Sequence, residues 1–539
     1  MRLVTNLPEF YNDICEVIRL FITAPEIQLI DAESANACDA HGDKADANAC
    51  DAHDNEADAN ACDAHGNVAD ANACDAHGNE ANSNACGEHD DEPEATVMHL
   101  HTEQDGMWRE RFEYGGVSHE RSLTVPDGDA LERKKQLKRL IKHALYELLR
   151  DATGVRPPWG SLTGIRPTRL IYEAMDDGMS GEAAISWLCG TFDVSRHKAA
   201  LLDEIVQVQR PLMKHDQNEF DLYIGIPFCT TRCSYCSFAS DELGRGALVE
   251  PYIDALLREI ELTGRMMRER GYRVRASYMG GGTPTALSAP QLERVIAAAQ
   301  REFPDSIEWT CEAGRPDTID RDKLQVLLDA GITRISINPQ TLCDDTLALI
   351  GRRHTTRDIM DAYELARSMG FGDINMDLIA ALPGEDMAAF ERSMRGVCQL
   401  APDSVTVHTL AIKRASKLHE LNYRQADADS AQRMVELARE LAHDAGYKPY
   451  YLYRQKYMAG NLENVGYARP GKACLYNIDV MEETTNNLAL GAGAITKWIF
   501  PERRRIERAA NVRNIELYIQ RVDEMAQRKA DVIDMYKGV

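Results

Sequence analysis

The 539-residue chain has no surplus of basic side chains: 61 Lys and Arg stand against 86 Asp and Glu, for a formal charge of -25. Nucleic-acid binding neutralises phosphates with clustered Lys and Arg, so this balance argues against a nucleic-acid partner. Charges interrupt every apolar run before it reaches spanning length, so no membrane span is expected. Residues 1–10 lack a basic segment followed by an apolar one, so no secretory leader is expected and a cytoplasmic location is. Aromatic residues are scarce at 7%, yet 44% hydrophobic content in a chain this long supplies cores for two or three domains. Fourteen cysteines in such a chain read as reduced thiols or metal ligands rather than disulfides.

The cysteines fall into three groups. Cys38, Cys50, Cys62, Cys74 and Cys86 recur every twelve residues, each followed three positions later by a histidine (His41, His53, His65, His77, His89), in a repeat from about residue 33 to 92. Thiol and imidazole pairs at C-x2-H spacing are workable half-sites for zinc, nickel or copper. The rest of the repeat is Ala, Asn, Asp and Gly with almost no large apolar side chain, which cannot offset chain entropy, so a disordered, duplicated tract is the weightier reading. Cys15, Cys189, Cys311, Cys343, Cys398 and Cys474 are scattered and read as small buried residues. Cys229, Cys233 and Cys236 form one tight motif.

The pattern predicts a small α+β N-terminal domain over residues 1–150. Its strands lie near 26–32, 96–102, 108–114 and 117–125, the repeat enlarges one surface connection, and an apolar-striped helix covers 129–152. A helical connector follows over 151–215. From 216 to about 460, strands beginning near Asp221, Ala276, Ile307, Arg334, Ile374 and Ser404 alternate with helices, which implies parallel strands with right-handed crossovers. About six such units make an α/β partial barrel, a (β/α)6 rather than a closed eight, with functional residues at the strand C-terminal ends. Residues 461–539 remain as a C-terminal extension.

The C-x3-C-x2-C of Cys229, Cys233 and Cys236 follows the first of these strands directly. Three thiolates hold three irons of a cubane cluster and leave the fourth open to an outside ligand, whereas a zinc knuckle needs a fourth protein ligand. Gly280-Gly281-Gly282-Thr283 ends the second strand, where glycines let backbone approach a ligand.

With these motifs the chain resembles the radical S-adenosylmethionine (SAM) superfamily, which implies one 4Fe-4S cluster on three cysteines, with SAM chelating the open iron. The run Tyr223-Ile224-Gly225-Ile226-Pro227-Phe228-Cys229, then Gly-Gly-Gly-Thr-Pro-Thr, Glu312, Gln340, Gly351-Arg352, Asn375-Met376-Asp377-Leu378 and Leu382-Pro383, is similar to the oxygen-independent coproporphyrinogen III oxidase group. The resemblance implies SAM contacts at Tyr223, Gly281, Gly282, Thr283, Glu312, Gln340, Arg352 and Asp377. Tyr235, Ala411 and Ile495 would complete a second SAM pocket, so one or two SAM molecules are expected. Glu312 and Asp377 can accept from ribose hydroxyls or an amine, and Arg352 can hold a carboxylate.

Pro158-Trp159-Gly160-Ser161-Leu162-Thr163-Gly164 and Val465-Gly466-Tyr467-Ala468-Arg469-Pro470-Gly471 resemble the HemZ-type branch of that group. The implied reaction converts two propionates of coproporphyrinogen III to vinyl groups in haem synthesis, with a separate electron donor and acceptor. Arg334, Arg352, Arg353 and Arg414 lie near predicted strand ends and match the charge of a carboxylate-rich substrate without being assigned to it. The chain departs from the best-known branch at Gly225, where that branch has histidine, and at Phe238, where it has a further cysteine. A related haem chaperone, or another radical reaction on a tetrapyrrole, is the alternative; metal storage would rest on the repeat alone.

Overall fold

The computed structural model describes residues 1–22, 27–31, 95–164, 166–214, 216–238, 240–421, 423–424, 426–455, 458–503 and 505–536. The Cys/His repeat, and with it the predicted surface connection and metal half-sites, lies outside the described residues. The described residues form two compact units, one taking those up to 164 with 174–200, the other 166–173 and 201 onward.

In the first unit, strands β1 (Arg2–Thr5), β2 (Gln28–Asp31), β3 (Thr96–Gln104), β4 (Met107–Tyr114) and β5 (Val117–Thr124) make one sheet in the order β2-β1-β3-β4-β5. The helix Ala130–Thr153 begins where Asp129 accepts from the Glu132 N–H and ends at left-handed Gly154, as a capped helix should. Its buried stripe of Ile141, Leu145, Leu148 and Leu149 shares a core with Leu3, Val97 and Phe112.

The second unit holds the large sheet. Strands β6 (Glu219–Ile226), β7 (Phe228–Cys229), β8 (Asp241–Glu242), β9 (Arg273–Gly281), β10 (Glu308–Gly314), β11 (Arg334–Ile337), β12 (Ile374–Ala380) and β13 (Ser404–Thr409) are followed by β14 (Lys448–Tyr453), β15 (Asn464–Ala468), β16 (Asn486–Leu490), β17 (Ile495–Phe500) and β18 (Arg505–Ala510). The large sheet runs β14-β15-β13-β12-β11-β10-β9-β6-β16-β17-β18. Its parallel centre, from β13 to β6 in that order, is a six-stranded partial barrel, with helices such as Val249–Glu269, Ala289–Glu302, Thr356–Met369 and Met387–Leu400 as crossovers.

These strands are buried on both faces: in β6 every residue after Glu219 is buried, the continuous apolar signature of a parallel sheet covered by helices. The helices start on sequence signals. Thr355 and Asp358 form a capping box before Thr356–Met369, and Gly370 closes that helix at φ 106°.

The C-terminal extension is woven into this sheet. β16 pairs parallel with β6, Leu490 opposite Ile224, and β15 pairs antiparallel with β13. Among the described residues no helix is long and apolar enough to cross a membrane.

Candidate active site

The three motif cysteines sit on a loop held by backbone bonds both within it and to distant segments. After β6, Phe228–Cys229 pairs parallel with Asp241–Glu242, and the Leu243 N–H donates to the Cys229 carbonyl at 2.7 Å. The Cys236 N–H donates to the Cys233 carbonyl at 3.1 Å, and the Ser234 N–H to the Ile350 carbonyl at 3.0 Å.

The glycine run is what lets this loop lie so close to β9. A Cβ on Gly282 would sit 2.6 Å from the Phe228 carbonyl oxygen, and Gly281 has φ 110° with the Ile226 backbone 3.0 Å from its Cβ position. At Gly280 the same position is taken by the Glu312 carboxylate, 2.9 Å away. Side chains at Gly281 and Gly282 are thus excluded by backbone, and one at Gly280 is admitted only if the Glu312 side chain gives way.

Cys229, Cys233 and Cys236 line a cavity of about 200 Å³ at the C-terminal ends of the parallel strands. Of the residues expected at a SAM site, Tyr235, Gly281, Gly282, Thr283, Glu312, Gln340, Arg352, Asp377 and Ala411 line the same cavity. Glu312 accepts from the Tyr278 hydroxyl at 2.7 Å. Gln340 has a left-handed backbone, φ 69°, a costly conformation for a residue with a Cβ, fixed by its N–H donating to the Asp377 carbonyl at 2.8 Å. Arg352 donates to the Asn338 carbonyl at 2.7 Å and to the Tyr235 hydroxyl at 3.2 Å.

Two expected residues are not brought to the cavity wall. Tyr223 is fully buried in a layer of stacked rings, 6.4 Å from Tyr278 and 6.5 Å from Tyr476, and is not among the residues lining the cavity. Ile495 lies on β17, separated from β6 by β16, and is not among the residues lining the cavity. Arg334, at the opening of β11, is locked to Glu308 and Asp373 at 3.0 Å each. The scattered cysteines also divide: Cys15, Cys311 and Cys474 are buried, whereas Cys189, Cys343 and Cys398 are only half-buried, because they fall on partly exposed helix edges and turns.

The cavity contains residues the sequence reading missed. Arg315, just past β10, donates to Asp317 at 3.0 Å, to the Thr231 carbonyl at 2.9 Å and toward Cys233 Sγ at 3.9 Å. Burial alone pushes the Asp317 carboxyl up, but His354 and Arg315 beside it outweigh that and hold it well below the usual carboxylate range. His408 Nε2 stands 3.7 Å from Asp377. The available signal for Arg315 was its place three residues after Glu312 at a strand end.

Burial raises the Cys236 and Cys229 thiols above their usual range in the metal-free chain, and the residues fit an iron–sulfur cluster by the chemistry of their donor set. The set provides three thiols, the number that leaves one cubane iron open. For a polar ligand alongside, the buried Asn338 Oδ1 and Arg352 Nε have no hydrogen-bond partner among the described residues, and both residues line the cavity.

The radical SAM superfamily model matches residues 223–396. The chain is 40% identical over 418 residues to the oxygen-independent coproporphyrinogen-III oxidase-like protein HemZ of Bacillus subtilis, covering 76% of this chain and 83% of that protein. It is 28% identical over 315 residues to the heme chaperone HemW of Escherichia coli, covering 58% and 79%. The solved coproporphyrinogen III oxidase HemN of Escherichia coli aligns over 57% of this chain and 70% of that one, with 24% identity and a TM-score of 0.47. The chain belongs to the radical SAM superfamily and, within it, to the HemZ family of oxygen-independent coproporphyrinogen-III oxidase-like proteins.

Proposed function

We propose that this protein is a coproporphyrinogen dehydrogenase: it converts propionate side chains of coproporphyrinogen III to vinyl groups without oxygen, giving protoporphyrinogen IX. The observation that carries the reading is the single cavity in which three thiols meet Glu312, Gln340, Arg352 and Asp377. Identity to HemZ over most of both chains supports the substrate class.

Membership of the radical SAM superfamily implies a 4Fe-4S cluster and SAM. Cys229, Cys233 and Cys236 hold the cluster in this reading, and SAM lies against Gly281, Gly282, Thr283, Glu312, Gln340, Arg352 and Asp377. Bound together and given one electron by an outside donor, the two would supply a 5'-deoxyadenosyl radical, with methionine released, able to take hydrogen from an unactivated carbon. The chain's own residues then position and shield. Arg352 and the Asn338 amide present unpaired polar atoms to a ligand's charged groups, while Glu312, fixed by Tyr278, accepts from an amine or hydroxyl. Each propionate gives up one hydrogen atom, carbon dioxide and one electron, the last to an acceptor outside the protein. Tyr235 and Ala411, on the cavity wall, leave a second SAM molecule within the reading.

The experiment is anaerobic incubation of the reconstituted protein with SAM, a reductant and coproporphyrinogen III, following 5'-deoxyadenosine and protoporphyrinogen together. Coupled formation of both, lost in Cys233→Ala, supports the dehydrogenase. Similarity to HemW favours one second reading, a haem chaperone; stoichiometric haem binding without carbon dioxide release would replace the first reading with it.

A further inference from the structure

Arg315 is 3% exposed, and its guanidinium is bound at every edge. Nε and Nη2 donate to the two oxygens of Asp317 at 3.0 and 3.2 Å, while Nη1 donates to the Thr231 carbonyl at 2.9 Å and approaches Cys233 Sγ at 3.9 Å. Asp317 also accepts from the Thr230 hydroxyl at 2.9 Å. One ion pair therefore grips both residues that follow Cys229 in the C-x3-C turn, through a side chain on Thr230 and the backbone at Thr231.

A guanidinium needs no such elaborate holding to serve as a surface charge. Buried beside a cluster ligand, it does two things. It fixes the turn that spaces Cys229 from Cys233, and it sets a positive charge and an N–H against the Cys233 sulfur in a water-poor site. Hydrogen bonds to cluster sulfurs and nearby positive charge both stabilise the added electron and so raise the reduction potential.

We propose that Arg315, pinned by Asp317, is a positioning residue that raises the potential at which the cluster accepts its electron. The proposal rests on the reading that the three cysteines carry the cluster, and Arg315 contacts a ligand's sulfur rather than substrate.

The test is an EPR-monitored redox titration of the full chain, reconstituted anaerobically as wild type, Arg315→Gln, Arg315→Lys and Asp317→Asn, with iron and sulfide counted in each. The expected result is equal cluster content with a potential shifted negative in Arg315→Gln. Arg315→Lys, which keeps the charge but loses the fork, should shift the same way by less, whereas Asp317→Asn, which removes the carboxylate that offsets the guanidinium, should shift positive. Arg315→Gln titrating at the wild-type potential overturns the proposal. If Arg315→Gln fails to hold a cluster, the other two variants decide, and a wild-type potential in both overturns it. Failure of the wild type itself to assemble a cluster overturns the cluster reading instead.

Discussion

Lys529 Nζ lies 2.7 Å from Glu259 Oε1, with both side chains wholly shut off from solvent. Glu259 also accepts from the Gly491 N–H at 2.8 Å, the Asn511 amide at 2.8 Å and the Tyr518 hydroxyl at 2.7 Å. Alongside it the Tyr252 hydroxyl donates to the Gly225 carbonyl at 2.6 Å, at the end of the strand that leads into the cysteine loop. The helix Val522–Asp534 is thereby tied to the helix Val249–Glu269 and to the first barrel strand.

Burial lowers the Lys529 ammonium from its usual range while Glu259 opposes the shift, so the two charges depend on each other. Glu259→Leu leaves an unpaired buried ammonium and should cost about 3–5 kcal/mol. Lys529→Met leaves Glu259 with three donors and should cost less, and the double variant should recover much of the loss. Urea unfolding of the three chains checks this; Glu259→Leu within ~1 kcal/mol of wild type would sink it.

The glycine run gives a graded prediction. In Gly282→Ala the new methyl meets the Phe228 backbone, which cannot yield without moving Cys229, so iron and sulfide content should fall. In Gly280→Ala the methyl meets the end of the Glu312 side chain, which can swing off Tyr278. That variant should keep its iron and bind SAM about tenfold more weakly, the worth of roughly one hydrogen bond. Iron assay with equilibrium dialysis of SAM separates the two outcomes.

Gln340 holds φ 69°, where a Cβ costs about 1 kcal/mol and glycine pays nothing. Gln340→Gly should therefore be more stable than Gln340→Ala by about that amount, although both lose the side chain from the cavity. Paired urea midpoints measure the difference, and equal midpoints would mean that the backbone relaxes.

Much of the barrel was legible because its signals are local. The helix Thr356–Met369 is bounded by local signals, the Thr355–Asp358 box and Gly370, and the strand beginning at Ser404 stands where it was expected. The pairing of β16 with β6 was not legible, because it joins residues far apart in sequence and no local pattern encodes such a neighbour. The burial of Tyr223 within a layer of stacked rings was not legible for a related reason. In a strand buried on both faces, polarity does not alternate, so the sequence does not say which way a side chain points. Arg315 went unnoticed because a lone arginine after a strand reads as a solvated charge until Asp317 and the cysteine turn are seen around it.

His143, on the helix Ala130–Thr153, packs its ring 5.1 Å from Phe192, and burial, reinforced by Arg121, lowers its pKa to about 4 from 6.5. Above pH 6.5 the ring is neutral in folded and unfolded chains alike and adds no pH dependence. As pH falls from 6.5 to about 4, the unfolded chain takes up a proton that the folded one refuses, so stability drops, by at most ~3 kcal/mol, and then levels off. His101 acts with the opposite sign, because hydrogen bonding to Glu110 raises its pKa and its contribution is lost as pH rises instead. Comparing wild type with His143→Leu isolates the first effect: hydrogen exchange across this helix should accelerate between pH 7 and 4.5 in wild type, after correction for intrinsic rates, and much less in the variant. Equal acceleration in both would mean that the ring reaches water and its proton in the folded chain.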